Sequence, residues 1–262
     1  MTGPRTSRFR AALARPGGPA LGTWVKLPAT ESVELLALAG FDFVVIDLEH
    51  APLDLETTYR LVGTAAHLGM APIVRVPALD GGIAQRVLDA GAEGIMLPHV
   101  DTVEQAEAGA RAVRFPPRGT RGVGATSRAG AWGLLDREEY LRFGREEVVF
   151  IAQLESAAAV RAAGAIAAVD GVDALLVGAA DLAVSEGTTE SDPRVAELIR
   201  HAVQECLAAG RPVGNAGAPT RASARAAIDA GFAFTLLGND ASLLGSAAAA
   251  AVREGRAASH DR

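Results

Sequence analysis

The fold of this chain is decided by the stretch VVFIAQLE, residues 148–155, an apolar run that ends in Glu155. A second stretch of the same kind, ALLVGAAD at residues 174–181, ends in Asp181. Near-continuous apolar runs of this length are typical of parallel strands that are buried on both faces. The sequence therefore predicts two such strands in succession, each followed by a carboxylate where the sheet meets solvent.

Six more short apolar runs flank these two, and helical patterns separate all eight. The predicted strands are Leu21–Leu27, Phe43–Leu48, Pro72–Val76, Gly94–Leu97, Val148–Leu154, Ala174–Val177, Pro212–Gly214 and Phe234–Leu237. Most of the helical patterns end at a glycine, a common C-terminal cap in α/β units. Eight strands alternating with helices over about 250 residues predict an α/β fold, a single (β/α)8 TIM barrel. A doubly wound sheet is the alternative, but the chain lacks the glycine-rich phosphate loop GxGxxG.

The barrel is expected to form one domain over residues 1–262. Residues 1–18 are expected to form an N-terminal extension with a short helix at Ser7–Ala14, and residues 240–262 a C-terminal helix and tail. The connection between strands four and five contains Pro116–Gly133, which is too long for a simple turn. We therefore expect a functional loop there.

Composition excludes several classes of protein. Hydrophobic residues make up 49% of the 262 residues and charged residues 21%, which is ordinary for a globular protein. The net charge of −6 does not favour nucleic acid as a partner, and no apolar run approaches the ~20 residues of a membrane span. The absence of a secretory signal and the single cysteine, Cys206, predict a cytoplasmic protein without an internal disulfide.

The two strand-end acids are the first candidate site. Glu155 and Asp181 follow adjacent strands, so their carboxylates are expected to converge at one edge of the barrel. Paired carboxylate oxygens suit a hard divalent cation, Mg²⁺ or Mn²⁺, with water and substrate as the remaining ligands. The alternative is that one acid caps a helix and the other faces solvent.

Polar groups on strands two and three form a second candidate set. His50 follows Asp47 by three residues, and an acid beside a histidine suits a general base. Arg75 lies within an apolar strand, where a cation needs an anionic partner, either a protein acid such as Asp47 or Glu49 or an anionic substrate. A structural role is the alternative for both His50 and Arg75. The other histidines show no ligand spacing and are expected to be structural or surface residues: His67, His99, His201 and His260.

Four segments together resemble the class II, metal-dependent pyruvate aldolases of the 4-hydroxy-2-oxoheptane-dioate and 2-dehydro-3-deoxyglucarate aldolase type. They are FVVIDLEHAPLD at residues 43–54, RFPPRGTRGVG at 114–124, QLES at 153–156 and GAADL at 178–182. The likeness covers nearly the whole chain. It implies a metal-dependent (β/α)8 barrel, often with the last helix exchanged between subunits of a hexamer, a trimer of dimers.

The resemblance also implies a role for each site residue. Glu155 and Asp181 would bind the metal, Mg²⁺ or Mn²⁺, with Co²⁺ or Zn²⁺ as further candidates. His50, paired with Asp47, would transfer protons, and Arg75 would contact the C2 oxygen of pyruvate. Gln153 would lie in the same pocket, and backbone N–H groups at Gly178, Ala179 and Ala180 would hold the pyruvate carboxylate. The expected reaction is reversible cleavage of a 4-hydroxy-2-oxo acid to pyruvate, or a close 2-oxo acid such as hydroxypyruvate, and an aldehyde.

Several alternatives stay open at this point. Ala179 stands where the family usually has proline, and Glu186 places an acid near the mouth of the site; both departures bear on substrate preference rather than on the chemistry. Lys26, the only lysine, is the one candidate for Schiff-base catalysis. A non-catalytic 2-oxo-acid-binding barrel and a lyase of CoA thioesters are the other functional alternatives. The aldehyde pocket is expected from the Pro116–Gly133 loop, the mouth around Ala183–Gly187 and a neighbouring subunit. Arg118, Arg121 and Arg128 in the loop suggest an anionic or hydroxylated acceptor.

Overall fold

Eight parallel strands close into a barrel in the order in which they occur along the chain. The computed structural model describes residues 4–79 and 81–258. The strands are β1 (Ala20–Val25), β2 (Phe43–Asp47), β3 (Ala71–Arg75), β4 (Gly94–Leu97), β5 (Val149–Leu154), β6 (Ala174–Val177), β7 (Val213–Gly217) and β8 (Phe234–Asn239). Each strand pairs in parallel with the next, and β8 pairs with β1. The predicted TIM barrel and its eight strands are confirmed.

Helices follow the strands and cover the barrel. They are α1 (Arg8–Leu13), α2 (Thr30–Ala39), α3 (Leu55–His67), α4 (Gly81–Asp89), α5 (Val103–Ala112), α6 (Arg137–Arg142), α7 (Ala157–Arg161), α8 (Ala163–Ala168), α9 (Ala179–Ser185), α10 (Pro193–Ala208), α11 (Arg221–Ala230) and α12 (Asp240–Ala257). The segment 157–168 forms two helices rather than one, because Ala162 has a ψ of 0° and interrupts the helix. The short helices α6 and α9 were not predicted. Within the described ranges, no helix has both the length and the apolar character needed to cross a membrane.

The strands alternate between two apolar layers. On β2, Val45 belongs to a buried cluster inside the barrel, whereas Val44 and Ile46 belong to the larger cluster between the sheet and the helices. This alternation follows from the two-residue period of a strand. Both faces of each strand are therefore apolar, which explains the near-continuous hydrophobic runs in the sequence.

The same period places polar side chains in the top layer of the barrel. Asp47 and Arg75 are the last inward-facing positions of β2 and β3, and Gln153 and Glu155 continue the inward-facing series of β5. All four are buried. The strand geometry alone therefore gathers them at the carboxyl-terminal end of the barrel.

The opposite end of the barrel is closed by α1. The Phe9 side chain on this helix is fully buried and packs edge-on against Phe43 and Phe234, with ring centroids 5.0 and 5.4 Å away. Arg8 Nη1 forms an ion pair with Glu93 Oε1 at 2.6 Å, just before β4. The N-terminal segment thus contains a short helix, and this helix plugs the barrel's amino-terminal face.

The last helix, α12, is anchored to the barrel through its first turn. Asp240 is its one buried residue, and its carboxylate accepts hydrogen bonds from the backbone N–H groups of Lys26 (2.9 Å) and Leu27 (3.1 Å). Further along, Leu244 and Val252 are 65% and 51% exposed. The C-terminal segment forms a helix over Asp240–Ala257, and within this chain most of its surface faces outward. The end of the predicted tail, residues 259–262 with His260, lies outside the described residues.

Candidate active site

A cavity of about 510 Å³ opens at the carboxyl-terminal ends of the strands. Active sites of TIM barrels lie at this face. Of the predicted site residues, seven line the cavity, namely His50, Arg75, Gln153, Gly178, Ala179, Ala180 and Asp181. Lys26, Glu190 and Asn239, which were not in the predicted site, line it as well. Asp47 and Glu155 are buried beside these residues.

Asp47 and Arg75 form a buried bidentate pair. Arg75 Nε donates to Asp47 Oδ1 at 3.0 Å and Nη2 donates to Oδ2 at 2.8 Å. The guanidinium also lies over the ring of Trp24, 4.2 Å from its centroid. Burial alone would raise the pKa of Asp47, but the hydrogen bonds and charge of Arg75 outweigh it and lower that pKa to about 2. The partner that the sequence required for Arg75 is therefore Asp47.

Asp47 has further donors on both oxygens. Its Oδ1 accepts the backbone N–H groups of Glu49 and His50 at 3.1 and 3.2 Å, and Lys26 Nζ lies 3.1 Å from Oδ2. The predicted contact between Asp47 and the His50 ring is not present, because Asp47 binds the His50 backbone instead. The His50 side chain is 57% exposed, and its Nε2 lies 3.8 Å from Glu49 Oε2. Asp47 therefore fixes the strand end, and the His50 ring is left facing the cavity.

Glu49 joins this cluster from the segment after β2. Its Oε2 lies 2.9 Å from Arg75 Nη1, an ion pair without hydrogen-bond alignment, and its Oε1 lies 3.3 Å from His99 Nε2. The sequence offered Glu49, like Asp47, as a possible acid partner of Arg75, and the ion pair confirms it. It carries a negative charge that faces both the arginine and the next strand end.

Glu155 is a buried carboxylate with polar partners on both oxygens. Gln153 Nε2 donates to its Oε1 at 2.6 Å, and the backbone N–H of His99 donates to its Oε2 at 3.0 Å. Burial raises the pKa of Glu155, and the charges of Asp181 and Glu49 raise it further. The hydrogen bond from the His99 backbone and the charge of the His99 ring lower it, and the resulting pKa is about 7. No arginine or lysine pairs with Glu155 among the ion pairs of the described residues.

Asp181 lies in the first turn of α9, whose N-cap is Gly178. Ala179 is the first residue of the helix, a position that proline also accepts, so the departure from the family pattern leaves the helix start intact. The first N–H groups of a helix have no intrahelical acceptor, so the backbone at 179–181 offers donors beside the cavity. Glu186 ends α9 in an exposed position, whereas Glu190 is the acid that lines the cavity.

The donor set fits a hard divalent cation. Glu155 is 4% exposed, and no lysine or arginine side chain of the described residues pairs with it. The Asp181 carboxylate is near enough to raise the pKa of Glu155. Gln153 Oε1 is buried without a hydrogen-bond partner. In the described part of the chain, no group of three or more His, Cys, Asp or Glu side chains is arranged to hold a metal ion. A cation here would rest on two carboxylates and take its other ligands from water and substrate.

The Pro116–Gly133 loop lies away from this cavity. It starts at the amino-terminal edge of the barrel, where Arg114 pairs with Asp173 just before β6, at 2.6 Å. It then packs on the outer face of α3 and α4, where the Arg128 guanidinium lies 3.5 Å from the ring centroid of Tyr59. Within one chain, the loop does not line the cavity, so its expected contribution to the aldehyde pocket has no support from the same subunit.

The arginines of this loop have protein partners. Arg121 is buried and pairs with Asp89 at 2.7 Å, and Arg118 lies 3.5 Å from Asp170. Neither these two nor Arg128 lines the cavity. The interpretation that they recognise an acceptor therefore has no support within one chain.

A closed (β/α)8 barrel with clustered charges at the carboxyl ends of its strands has the architecture of a TIM-barrel enzyme. Residues 20–247 match the HpcH/HpaI aldolase/citrate lyase family. The chain belongs to this family, and the resemblance seen in its motifs is confirmed.

Three relatives are similar over nearly their whole length. A hydroxypyruvate/pyruvate aldolase of Chromohalobacter salexigens is 40% identical over 92% of this chain and 94% of its own length. A 5-keto-4-deoxy-D-glucarate aldolase of Escherichia coli is 37% identical over 92% and 93%. The crystal structure of an HpcH/HpaI aldolase/citrate lyase family protein from Burkholderia cenocepacia has a TM-score of 0.89, with 37% identity over 96% of this chain and all of that one.

Proposed function

We propose that the protein is a carbon–carbon lyase, a class II pyruvate aldolase. It reversibly cleaves a 4-hydroxy-2-oxo acid to pyruvate, or a close 2-oxo acid such as hydroxypyruvate, and an aldehyde. The observation that carries the proposal is one cavity lined by a fixed guanidinium, Arg75, and an acid, Asp181, with the buried carboxylate of Glu155 beside them. Family membership and the names of the relatives support the same reaction.

A divalent cation is part of the proposal. Glu155 and Asp181 would hold it, with Mg²⁺ or Mn²⁺ preferred for an all-oxygen site and Co²⁺ or Zn²⁺ as weaker candidates. When bound, such an ion acts as a Lewis acid that polarises a keto oxygen.

The side chains around it would have separate tasks. Arg75, held by Asp47, would place positive charge at the C2 oxygen, where negative charge develops during cleavage. The N–H groups of Ala179 and Ala180 would bind the carboxylate of the 2-oxo acid, with Gln153 beside them. The expectation for Gly178 is wrong, because its N–H donates to the Leu154 carbonyl at 2.9 Å. The exposed ring of His50 would take the proton from the C4 hydroxyl in cleavage and return it in synthesis. Asp47 would act by position, because its low pKa and its many donors leave it unsuited to accept that proton.

We also propose that the protein works as a homo-oligomer, a hexamer built as a trimer of dimers, and that it is cytoplasmic. The exposed apolar side chains of α12 support exchange of this helix between subunits. A partner subunit would also bring other loops near the cavity.

The proposal is tested by a metal-supplemented screen of 4-hydroxy-2-oxo acids in which released pyruvate is measured. We expect cleavage that EDTA stops and that Mg²⁺ or Mn²⁺ restores. Arg75→Lys, which keeps a charge beside Asp47, should reduce turnover strongly, whereas Arg60→Lys on the exposed face of α3 should not. Tight binding of 2-oxo acids without turnover of any substrate would instead favour a non-catalytic barrel.

A second experiment tests the Schiff-base alternative. Lys26 Nζ is engaged by Asp47 at 3.1 Å, so we expect no covalent adduct with pyruvate. Sodium borohydride is added in the presence of pyruvate, and the intact mass is measured. A pyruvyl adduct on Lys26 with loss of activity would overturn the metal mechanism.

A further inference from the structure

His99 stands at the end of β4, in a place that the proposed mechanism does not use. Its ring lies between two carboxylates, with Nδ1 3.0 Å from Glu155 Oε2 and Nε2 3.3 Å from Glu49 Oε1. Its backbone N–H donates to the same Glu155 oxygen at 3.0 Å. The residue has a φ of +55°, in the left-handed region that side chains other than glycine rarely adopt. Such strain is found mainly where function requires a fixed geometry.

These contacts make the two oxygens of Glu155 unequal. Oε2 accepts the backbone N–H of His99 and also lies 3.0 Å from Nδ1 of the His99 ring, so two groups of His99 face this oxygen. Oε1 has one donor, Gln153 Nε2, and so keeps a lone pair. A methyl group added at Gly178 would lie 3.4 Å from Oε1, so this oxygen faces the start of the segment that carries Asp181.

We propose that His99 is a positioning residue of the metal site, which holds Oε2 of Glu155 on the β4 side and leaves Oε1 as the single oxygen directed at the cation. The proposal rests on the proposed function, because it requires that Glu155 and Asp181 bind a divalent ion. His99 itself is not a ligand, since both ring nitrogens face carboxylates. Its contact with Glu49, which pairs with Arg75, also links the metal ligand to the arginine that faces the substrate.

The test is the affinity of the metal-free protein for Mn²⁺, measured from the electron paramagnetic resonance signal of the unbound ion. His99→Gly removes the ring and suits the positive φ, and His99→Asn tolerates that φ but is too short to bridge the two acids. We expect the dissociation constant for Mn²⁺ to rise 10- to 100-fold in both variants, the usual effect of losing a residue that orients a ligand. The melting temperature of His99→Gly should be unchanged or higher, because the backbone strain is relieved.

Two controls separate the possible outcomes. His67→Asn, at the far end of α3, should bind Mn²⁺ like the wild type. Glu155→Gln should abolish specific binding, and if it binds like the wild type, or if the wild type binds no Mn²⁺, the proposed metal site fails and this inference with it. If Glu155→Gln loses binding while both His99 variants keep wild-type affinity, only the role of His99 is refuted. A lower melting temperature with unchanged affinity would show that His99 is merely structural.

Discussion

At the scale of single residues, the pair of Asp47 and Arg75 connects stability with function. A bidentate buried pair fixes the guanidinium by geometry as well as by charge, which lysine would not do. Loss of either partner would be destabilising, because the other charge would stay buried without its counter-charge.

Asp47→Asn should therefore destabilise the protein. We expect the free energy of unfolding to fall by about 3 kcal/mol, because Arg75 keeps its charge and loses its main partner. Urea unfolding monitored by circular dichroism measures the change. Asp54→Asn is the matched control, since Asp54 is an exposed N-cap of α3 and asparagine caps equally well. An equal loss in the two variants would contradict the buried ion pair.

Low pH should remove the stabilisation that the ion pair of Asp47 and Arg75 contributes. The pKa of Asp47 is about 2 in the folded protein against an ordinary value of 3.8, so the folded state binds fewer protons between these values. The stabilisation is complete above pH 3.8 and is lost as the pH falls towards 2. The stability difference between wild type and Asp47→Asn should thus shrink over this range when both are unfolded in urea. A difference that stays constant down to pH 2 would show that the pKa of Asp47 is not lowered.

The two-residue period of a strand made much of this site predictable. Asp47, Arg75, Gln153 and Glu155 are inward-facing positions at strand ends, and the apolar runs showed where those ends lie. His99 lies beyond the end of β4 and has a left-handed backbone conformation. The two-residue period of a strand therefore does not predict where its side chain points. Its proximity to Glu155 depends on the alignment of β4 with β5, which a single sequence does not reveal.

At the scale of elements, α1 is the feature most easily tested. Phe9 fills the amino-terminal end of the barrel between Phe43 and Phe234, far from the proposed site. Phe9→Ala should lower the free energy of unfolding by about 3–5 kcal/mol, as is usual for a fully buried phenylalanine. Under conditions where the variant is folded, its KM for the oxo acid should match that of the wild type. Phe9→Leu, which keeps most of the volume, is the control, and a changed KM in that folded control would show that the two ends of the barrel are coupled.

The position of the Pro116–Gly133 loop shows where element-level reasoning failed. Loops that follow strands lie at the carboxyl-terminal face of the barrel, but this loop follows α5 and so begins at the opposite face. The order of strands and helices therefore places the start of this loop at the face opposite the cavity of its own chain. The packing of Arg128 on Tyr59 could not be predicted, because it depends on a contact between segments 69 residues apart.

At the scale of the whole molecule, the exposed apolar side chains of α12 are the feature on which the proposed oligomer depends. A helix that buries only its first residue and exposes Leu244 and Val252 gains stability when another surface covers it. Removal of residues 243–262 keeps Asp240, with its contacts to β1, and should convert the oligomer to monomers. Sedimentation velocity of both proteins measures the change, and an unchanged sedimentation coefficient would contradict exchange of α12.

The single lysine has one more consequence, which concerns proteolysis. An endoproteinase specific for lysine has one site in the chain, the bond between Lys26 and Leu27. In the folded protein, the backbone N–H groups of Lys26 and Leu27 both donate to the Asp240 carboxylate, and the lysine side chain forms an ion pair with Asp47. The enzyme can cut only when the end of β1 detaches from α12, so the rate at which the fragment 27–262 appears measures how often the mouth of the barrel opens.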